Sequence, residues 1–75
     1  MFSPTDLKIA KTAELVMERR GWSVTKLGAE MAMSAWSLLD RINGRTAWKI
    51  QDLARLAELA GVTTDSLLKG EEVAS

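Results

Sequence analysis

Apolar residues recur three and four positions apart along most of this 75-residue chain, with polar residues between them. That spacing is typical of amphipathic α-helices, because it places the apolar side chains on one face of each helix. Glycines and serines separate the apolar stretches at positions that suit short connections. The pattern predicts an all-α fold of five helices, over residues 4–20, 24–31, 35–42, 48–60 and 65–69.

The first and fourth predicted helices supply most of the expected core. Gly21 and Gly61 end these two helices, since glycine tolerates the left-handed conformation that often follows a helix. Trp22 and Trp48 each precede a helix start, and we expect both to pack into the core. The other expected core residues share one face of each helix: Ile9, Ala13, Val16 and Met17 in the first, and Ile50, Leu53, Leu56, Ala57 and Ala60 in the fourth.

Two short helices in the middle of the chain are each preceded by a serine that can cap the free amides of the helix start. Ser23 precedes the second helix, Ser34 precedes the third, and residues 31–34 form a tight turn between them. Gly28 lies inside the second helix, where glycine costs about 1 kcal/mol relative to alanine, so we expect the third helix to cross closely over it. Two such helices at a steep angle form a helix-turn-helix, which lays its second helix in the DNA major groove.

The composition excludes several kinds of chemistry. The chain has no cysteine and no histidine, which removes disulfides, thiol nucleophiles, the usual zinc ligands and the commonest general base. We therefore expect no enzyme activity, metal, cofactor or small-molecule ligand. No apolar run is long enough to span a bilayer and no signal peptide is evident, so a cytoplasmic protein without membrane contact is expected. One domain is expected over residues 1–70, with 71–75 as a disordered tail.

The formal net charge of zero argues against a non-specific nucleic-acid binder, but the charges are unevenly distributed. Residues 1–50 contain eight Lys and Arg against five Asp and Glu, whereas residues 51–75 contain two against five. The positive part includes the predicted helix pair. A polarised molecule of this kind can approach DNA with one face despite its neutral total.

Spaced residues between positions 5 and 69 resemble those of a known family. They are Leu27, Ser34, Ser37, Leu38, Arg41, Ile42, Gly44, Trp48, Leu53, Leu56, Ala57, Gly61, Val62, Leu67 and Leu68. As a set they resemble the Cro/C1-type (Xre-like) helix-turn-helix proteins, which include phage repressors, and in particular the actinobacterial and actinophage branch. The resemblance implies a compact five-helix, lambda-repressor-like DNA-binding domain with helices 2 and 3 as the helix-turn-helix. The chain departs from the family at Gly28, where alanine is usual, and at Ala32, where glycine is usual.

The third helix holds the candidate base contacts, because a recognition helix reads base edges with its first turn and its next exposed turn. These candidates are Ala35, Trp36, Ser37, Asp40 and Arg41. Arg41 is the strongest, since a guanidinium can bind guanine through two parallel hydrogen bonds, but it could equally be a solvated residue or a partner of Asp40 or Glu30. Ala35 could touch a thymine methyl group, Ser37 could donate to a base or phosphate, and Asp40 could read cytosine or orient Arg41. Trp36 could fold back over the second helix, contact a thymine methyl group or a sugar, or form a protein-binding hot spot.

Phosphate contacts are expected from helix amino termini and from flanking basic or polar side chains. The candidates are Ser23, Lys26, Ser34, Asn43, Arg45, Thr46 and Lys49. Asn43 and Arg45 could also be a turn former and an exposed loop charge. So few cations predict weak binding by a monomer, and hence a homodimer on a palindromic operator. The candidate dimer interface is Val62, Leu67 and Leu68, although these residues could instead close the monomer core.

The leading functional hypothesis is a sequence-specific double-stranded DNA-binding regulator, a phage or prophage repressor or Cro-like protein acting at the nucleoid of a bacterial host. A related alternative is an excisionase-like architectural factor that binds clustered sites and bends DNA. A third is a protein-binding adaptor that kept the helical scaffold. This alternative is supported by the neutral net charge and by Trp36, Leu39 and Asp40.

Overall fold

The computed structural model describes residues 4–69, and within that range the chain forms five α-helices and no strand. The helices are α1 (Pro4–Arg20), α2 (Val24–Glu30), α3 (Ala35–Ile42), α4 (Ile50–Ala60) and α5 (Thr64–Lys69). The predicted all-α class is therefore confirmed. The tail predicted for residues 71–75 lies outside the described residues.

The helices meet around α1, which contacts α3, α4 and α5, while α2 packs mainly on α3. Four large side chains are fully buried and belong to one core, and they come from the first four helices: Ile9, Leu27, Leu38 and Leu56. The radius of gyration is 11.1 Å. In this arrangement α1 packs against α3 of the α2–α3 unit, which we define as residues 24–42.

Local sequence signals end α1 and begin α2 as predicted. Gly21 has a φ of 64°, in the left-handed region, and the Trp22 amide donates back to the Met17 carbonyl at 2.9 Å. The Ser23 hydroxyl then accepts from the Lys26 amide at 3.2 Å and caps α2. The guanidinium of Arg20 donates to the Leu59 carbonyl at 2.9 Å, which ties the end of α1 to the end of α4.

The start of α4 differs from the sequence prediction. The helix begins at Ile50 rather than Trp48, and Lys49 is its extended capping residue. Trp48 is buried in the core as expected, but Ile50 is 82% exposed, so its predicted core position is wrong. Since Trp48 and Asp52 occupy the interior at this end of α4, the first turn projects Ile50 into solvent.

Two of the three predicted dimer residues, Val62 and Leu67, have described side chains. Leu67 is 4% exposed and belongs to the core, and Val62 is half-buried against that core. At Leu67 the structure therefore favours the alternative in which this residue closes the monomer core. The side chain of Leu68 lies outside the described residues. Between residues 4 and 69, no helix is both long and apolar enough to cross a membrane.

Candidate nucleic-acid interface

The connection between α2 and α3 is a tight turn over residues 31–34. The amides of Met31 and Met33 both donate to the Gly28 carbonyl, at 3.0 and 2.9 Å. Ala32 has a φ of 58°, which makes it the one residue other than glycine with a positive φ in the described part of the chain. A left-handed alanine is strained, because its Cβ approaches the backbone, and the turn holds it there through the neighbouring hydrogen bonds.

Gly28 allows this turn to lie against α2. A Cβ placed on Gly28 would be 2.9 Å from the Met33 carbonyl oxygen and 3.4 Å from the Ser34 carbonyl carbon. The predicted close packing over Gly28 is confirmed, but the neighbour is the backbone of the turn rather than the body of α3. Because position 28 has no side chain, the start of α3 can lie close to α2.

The first turn of α3 is fixed by the predicted serine cap. The Ser34 hydroxyl accepts from the Ser37 amide and donates to the Ser37 hydroxyl, both at 3.1 Å. Ser34 itself is exposed, and Ser37 is half-buried. The amino-terminal end of α3 is therefore both ordered and open to solvent.

The inner face of α3 carries an arginine. Arg41 is 8% exposed, and its Nε donates to Oδ2 of the equally buried Asp52 at 2.8 Å. Its Nη1 donates to the Ser37 carbonyl at 3.1 Å. The same Oδ2 of Asp52 accepts from the Lys49 amide at 3.0 Å, so one carboxylate joins α3 to the start of α4.

This position corrects the predicted role of Arg41. A guanidinium that is buried and already donates to Asp52 and Ser37 cannot at the same time present its fork to guanine, and neither Asp40 nor Glu30 is its partner. The sequence held a signal for this placement, because Arg41 follows the core residue Leu38 by three positions and so lies on the same helix face. Asp52 was missed as its partner, since nothing local connects two residues eleven positions apart.

The outer face of α3 carries the tryptophan. Trp36 is 79% exposed, which contradicts the alternative that its ring folds back over the second helix. Asp40 and Asn43 follow at spacings of four and three on the same side, half-buried and exposed respectively, while Ala35 is half-buried beside them. A stripe of Trp36, Asp40 and Asn43, called here the outer stripe, thus faces away from the core.

The loop after α3 is fastened to the helix by Asp40. Its carbonyl accepts from the amides of Arg45 and Thr46, at 2.8 and 3.2 Å, and its carboxylate lies 3.7 Å from Nη1 of Arg45. Arg45, Thr46 and Lys49 are all exposed, as their predicted phosphate-binding role requires. The outer stripe is therefore followed directly by exposed polar and basic side chains.

The other predicted cation, Lys26, lies on α2. Its Nζ is 3.2 Å from Oε2 of Glu30 and 5.7 Å from the centroid of the Trp22 ring. Arg55, on α4, donates through its Nε to the backbone carbonyl of Glu30 at 2.8 Å. Lys26 remains about half exposed, and an exposed pair of this kind contributes little to stability, so its charge is available to a polyanion.

Comparison of the chain with protein-family models, with curated proteins and with solved structures gives no match. Among residues 4–69, no group of three or more acidic side chains is placed to hold a metal ion. Function is therefore inferred from the residues and their geometry alone.

Proposed function

We propose that the chain is a sequence-specific double-stranded DNA-binding protein, a transcriptional regulator of the repressor or Cro-like kind, in which α2 and α3 act as a helix-turn-helix. The observation that carries this proposal is the solvent-facing outer stripe of α3, which starts at the ordered Ser34 cap and is braced from behind by α2. A helix with one anchored face and one open face, held at its amino terminus by a tight turn, suits insertion into a groove.

The dimensions of α3 fit the major groove. An α-helix with its side chains is about 10–12 Å in diameter, and the major groove of B-DNA is about 12 Å wide. With the outer stripe toward the base edges, Ala35, Trp36 and Ser37 form the first turn, and Asp40 lies one turn later. Because Arg41 is buried, these four residues make up the proposed base-contacting set.

Phosphate contacts would flank that helix on both sides. Ser23 and Lys26 lie at the start of α2, and the exposed side chains of Asn43, Arg45, Thr46 and Lys49 follow the end of α3. The few cations and the neutral net charge favour weak monomer binding with a shallow salt dependence. Binding as two copies on a palindrome, with half-sites about 34 Å apart, would supply the missing affinity.

Selection of bound duplexes from a random pool tests the proposal. A symmetric consensus with two half-sites spaced by about one helical turn is expected. Lys49→Ala is expected to weaken binding to every selected sequence about equally, because phosphate contacts carry no sequence information. Lys11→Ala removes an exposed lysine of α1 and is the matched control, which is expected to leave binding unchanged. Failure to enrich any duplex at low salt would refute the proposal.

A second candidate, a protein-binding adaptor, is favoured by one observation. Trp36 exposes most of an indole, and tryptophan is enriched among the residues that dominate protein interfaces. A low-salt gel shift on random DNA separates the two functions: a regulator shifts the duplex weakly, whereas an adaptor does not shift it.

A further inference from the structure

The outer stripe of α3 offers no guanidinium. Arg41 is the one basic residue of α3, and it is held inside by Asp52 and the Ser37 carbonyl. The commonest specific contact in the major groove, a basic fork on guanine O6 and N7, is therefore absent from this helix. Sequence discrimination by α3 must come from other chemistry.

The largest feature of the outer stripe is the Trp36 indole. It belongs to the first turn of α3, is 79% exposed, and points away from the core, on the side of the helix opposite Leu38. A side chain in that position meets the floor of the groove, whereas flanking side chains meet the phosphate walls. The apolar group that the floor of the major groove presents is the C5-methyl group of thymine.

Two neighbouring candidates for base contacts, Asp40 and Ala35, compete little with the indole for that contact. Asp40 can only accept hydrogen bonds, and Arg45 lies 3.7 Å from its carboxylate. Ala35, beside Trp36 in the first turn, adds only a methyl group. Apolar contact is thus the dominant chemistry available at the amino-terminal end of α3.

We infer that Trp36 is a specificity-determining residue that reads thymine methyl groups, so that each half-site carries thymine opposite the first turn of α3. This inference rests on the proposed function and names the base chemistry that it uses. Burial of a methyl group against the indole favours thymine over a base that lacks it, without any hydrogen bond.

The test replaces thymine by deoxyuridine, one position at a time, in the duplex obtained by selection. This change removes the methyl group and leaves the base pairing intact. Wild-type affinity is expected to fall by about fourfold at one or two positions in each half-site, the effect of losing one buried methyl group. Trp36→Ala is expected to bind the thymine duplex more weakly and to bind both duplexes equally. Trp36→Phe is expected to keep part of the discrimination.

Ile50→Ala is the matched control, because Ile50 is as exposed as Trp36 but lies on α4. This variant is expected to discriminate thymine from uracil as the wild type does. Equal wild-type affinity for both duplexes would overturn the inference while leaving a selected consensus and the proposed function in place. Discrimination that persists in Trp36→Ala would overturn it in the same way. A pool that yields no bound duplex at all would overturn both.

Discussion

The inner and outer faces of α3 carry the reverse of the side chains that simple polarity rules predict. The inner face contains Leu38 and an arginine, whereas the outer face contains a tryptophan that is 79% exposed. Arginine is almost never buried unless it is paired, and tryptophan is highly buried on average. Asp52 satisfies the buried arginine from within the chain. The described residues leave Trp36 open to solvent.

The largest effect is expected from breaking the inner face. Asp52→Ala leaves the Arg41 guanidinium buried without its carboxylate and removes the acceptor of the Lys49 amide. We expect a loss of about 3–5 kcal/mol in the free energy of unfolding, measured by urea or thermal denaturation. A loss of that size is a large part of the stability of a small domain.

Two controls separate the buried pair from charge in general. Asp40→Ala removes the exposed, 3.7 Å pair with Arg45 and is expected to cost less than about 1 kcal/mol. Arg41→Met combined with Asp52→Leu leaves no buried charge, so we expect it to be more stable than Asp52→Ala alone. Equal stability of Asp52→Ala and the wild type would show that the pair does not hold α3 in place.

The next effect concerns the distance between α2 and the start of α3. A leucine at position 28 would push against the Met33 carbonyl, which lies 2.9 Å from the ideal Cβ position. We expect Gly28→Leu to lower the free energy of unfolding by roughly 1–3 kcal/mol. Ala29→Leu places the same side chain at an exposed position of the same helix and is expected to change stability little. A normal melting curve for Gly28→Leu would contradict the close approach.

A smaller effect, this time a gain in the free energy of unfolding, is expected at the turn between α2 and α3. Ala32 adopts a left-handed conformation that glycine reaches without steric cost. Ala32→Gly is expected to raise stability by up to about 1 kcal/mol, since the relief of strain exceeds the added freedom of the unfolded chain. Ala29→Gly, inside α2, is expected to lower stability by about 1 kcal/mol. Thermal denaturation that shows a rise in stability for Ala32→Gly and a fall for Ala29→Gly would confirm the strained turn.

The smallest effect on stability is expected at the outer face. Trp36→Ala removes an exposed side chain and is expected to change the free energy of unfolding by no more than about 0.5 kcal/mol. Trp48→Ala removes the same side chain from the core and is expected to cost about 3–5 kcal/mol. Similar losses in the two variants would mean that Trp36 is part of the core.

The sequence predicts most of the fold because the signals involved are local. The caps of Ser23 and Ser34, and the left-handed glycines at positions 21 and 61, depend on neighbours within four residues, and the structure confirms all four. Thr63 likewise caps α5 through the Ser66 amide.

Tertiary placement is where sequence reasoning fails. Arg41 is buried because Asp52, eleven positions later, begins α4 with its carboxylate turned inward. Ile50 matches the apolar period of α4 but lies at its first turn, where the interior is already filled. For Trp36, periodicity alone left both orientations open, because a large apolar residue at a helix start can pack backward or point outward.

The three tryptophans occupy three different environments, which gives the molecule a built-in optical reporter. Trp48 is buried in the core, Trp22 is half-buried with the Arg20 guanidinium 5.0 Å from its ring, and Trp36 is exposed to solvent. A water-borne quencher such as iodide will therefore extinguish the fluorescence of Trp36 first. A molecule that bound the outer stripe would protect that emission from the quencher or alter it, and titrations could follow the change on the unlabelled chain.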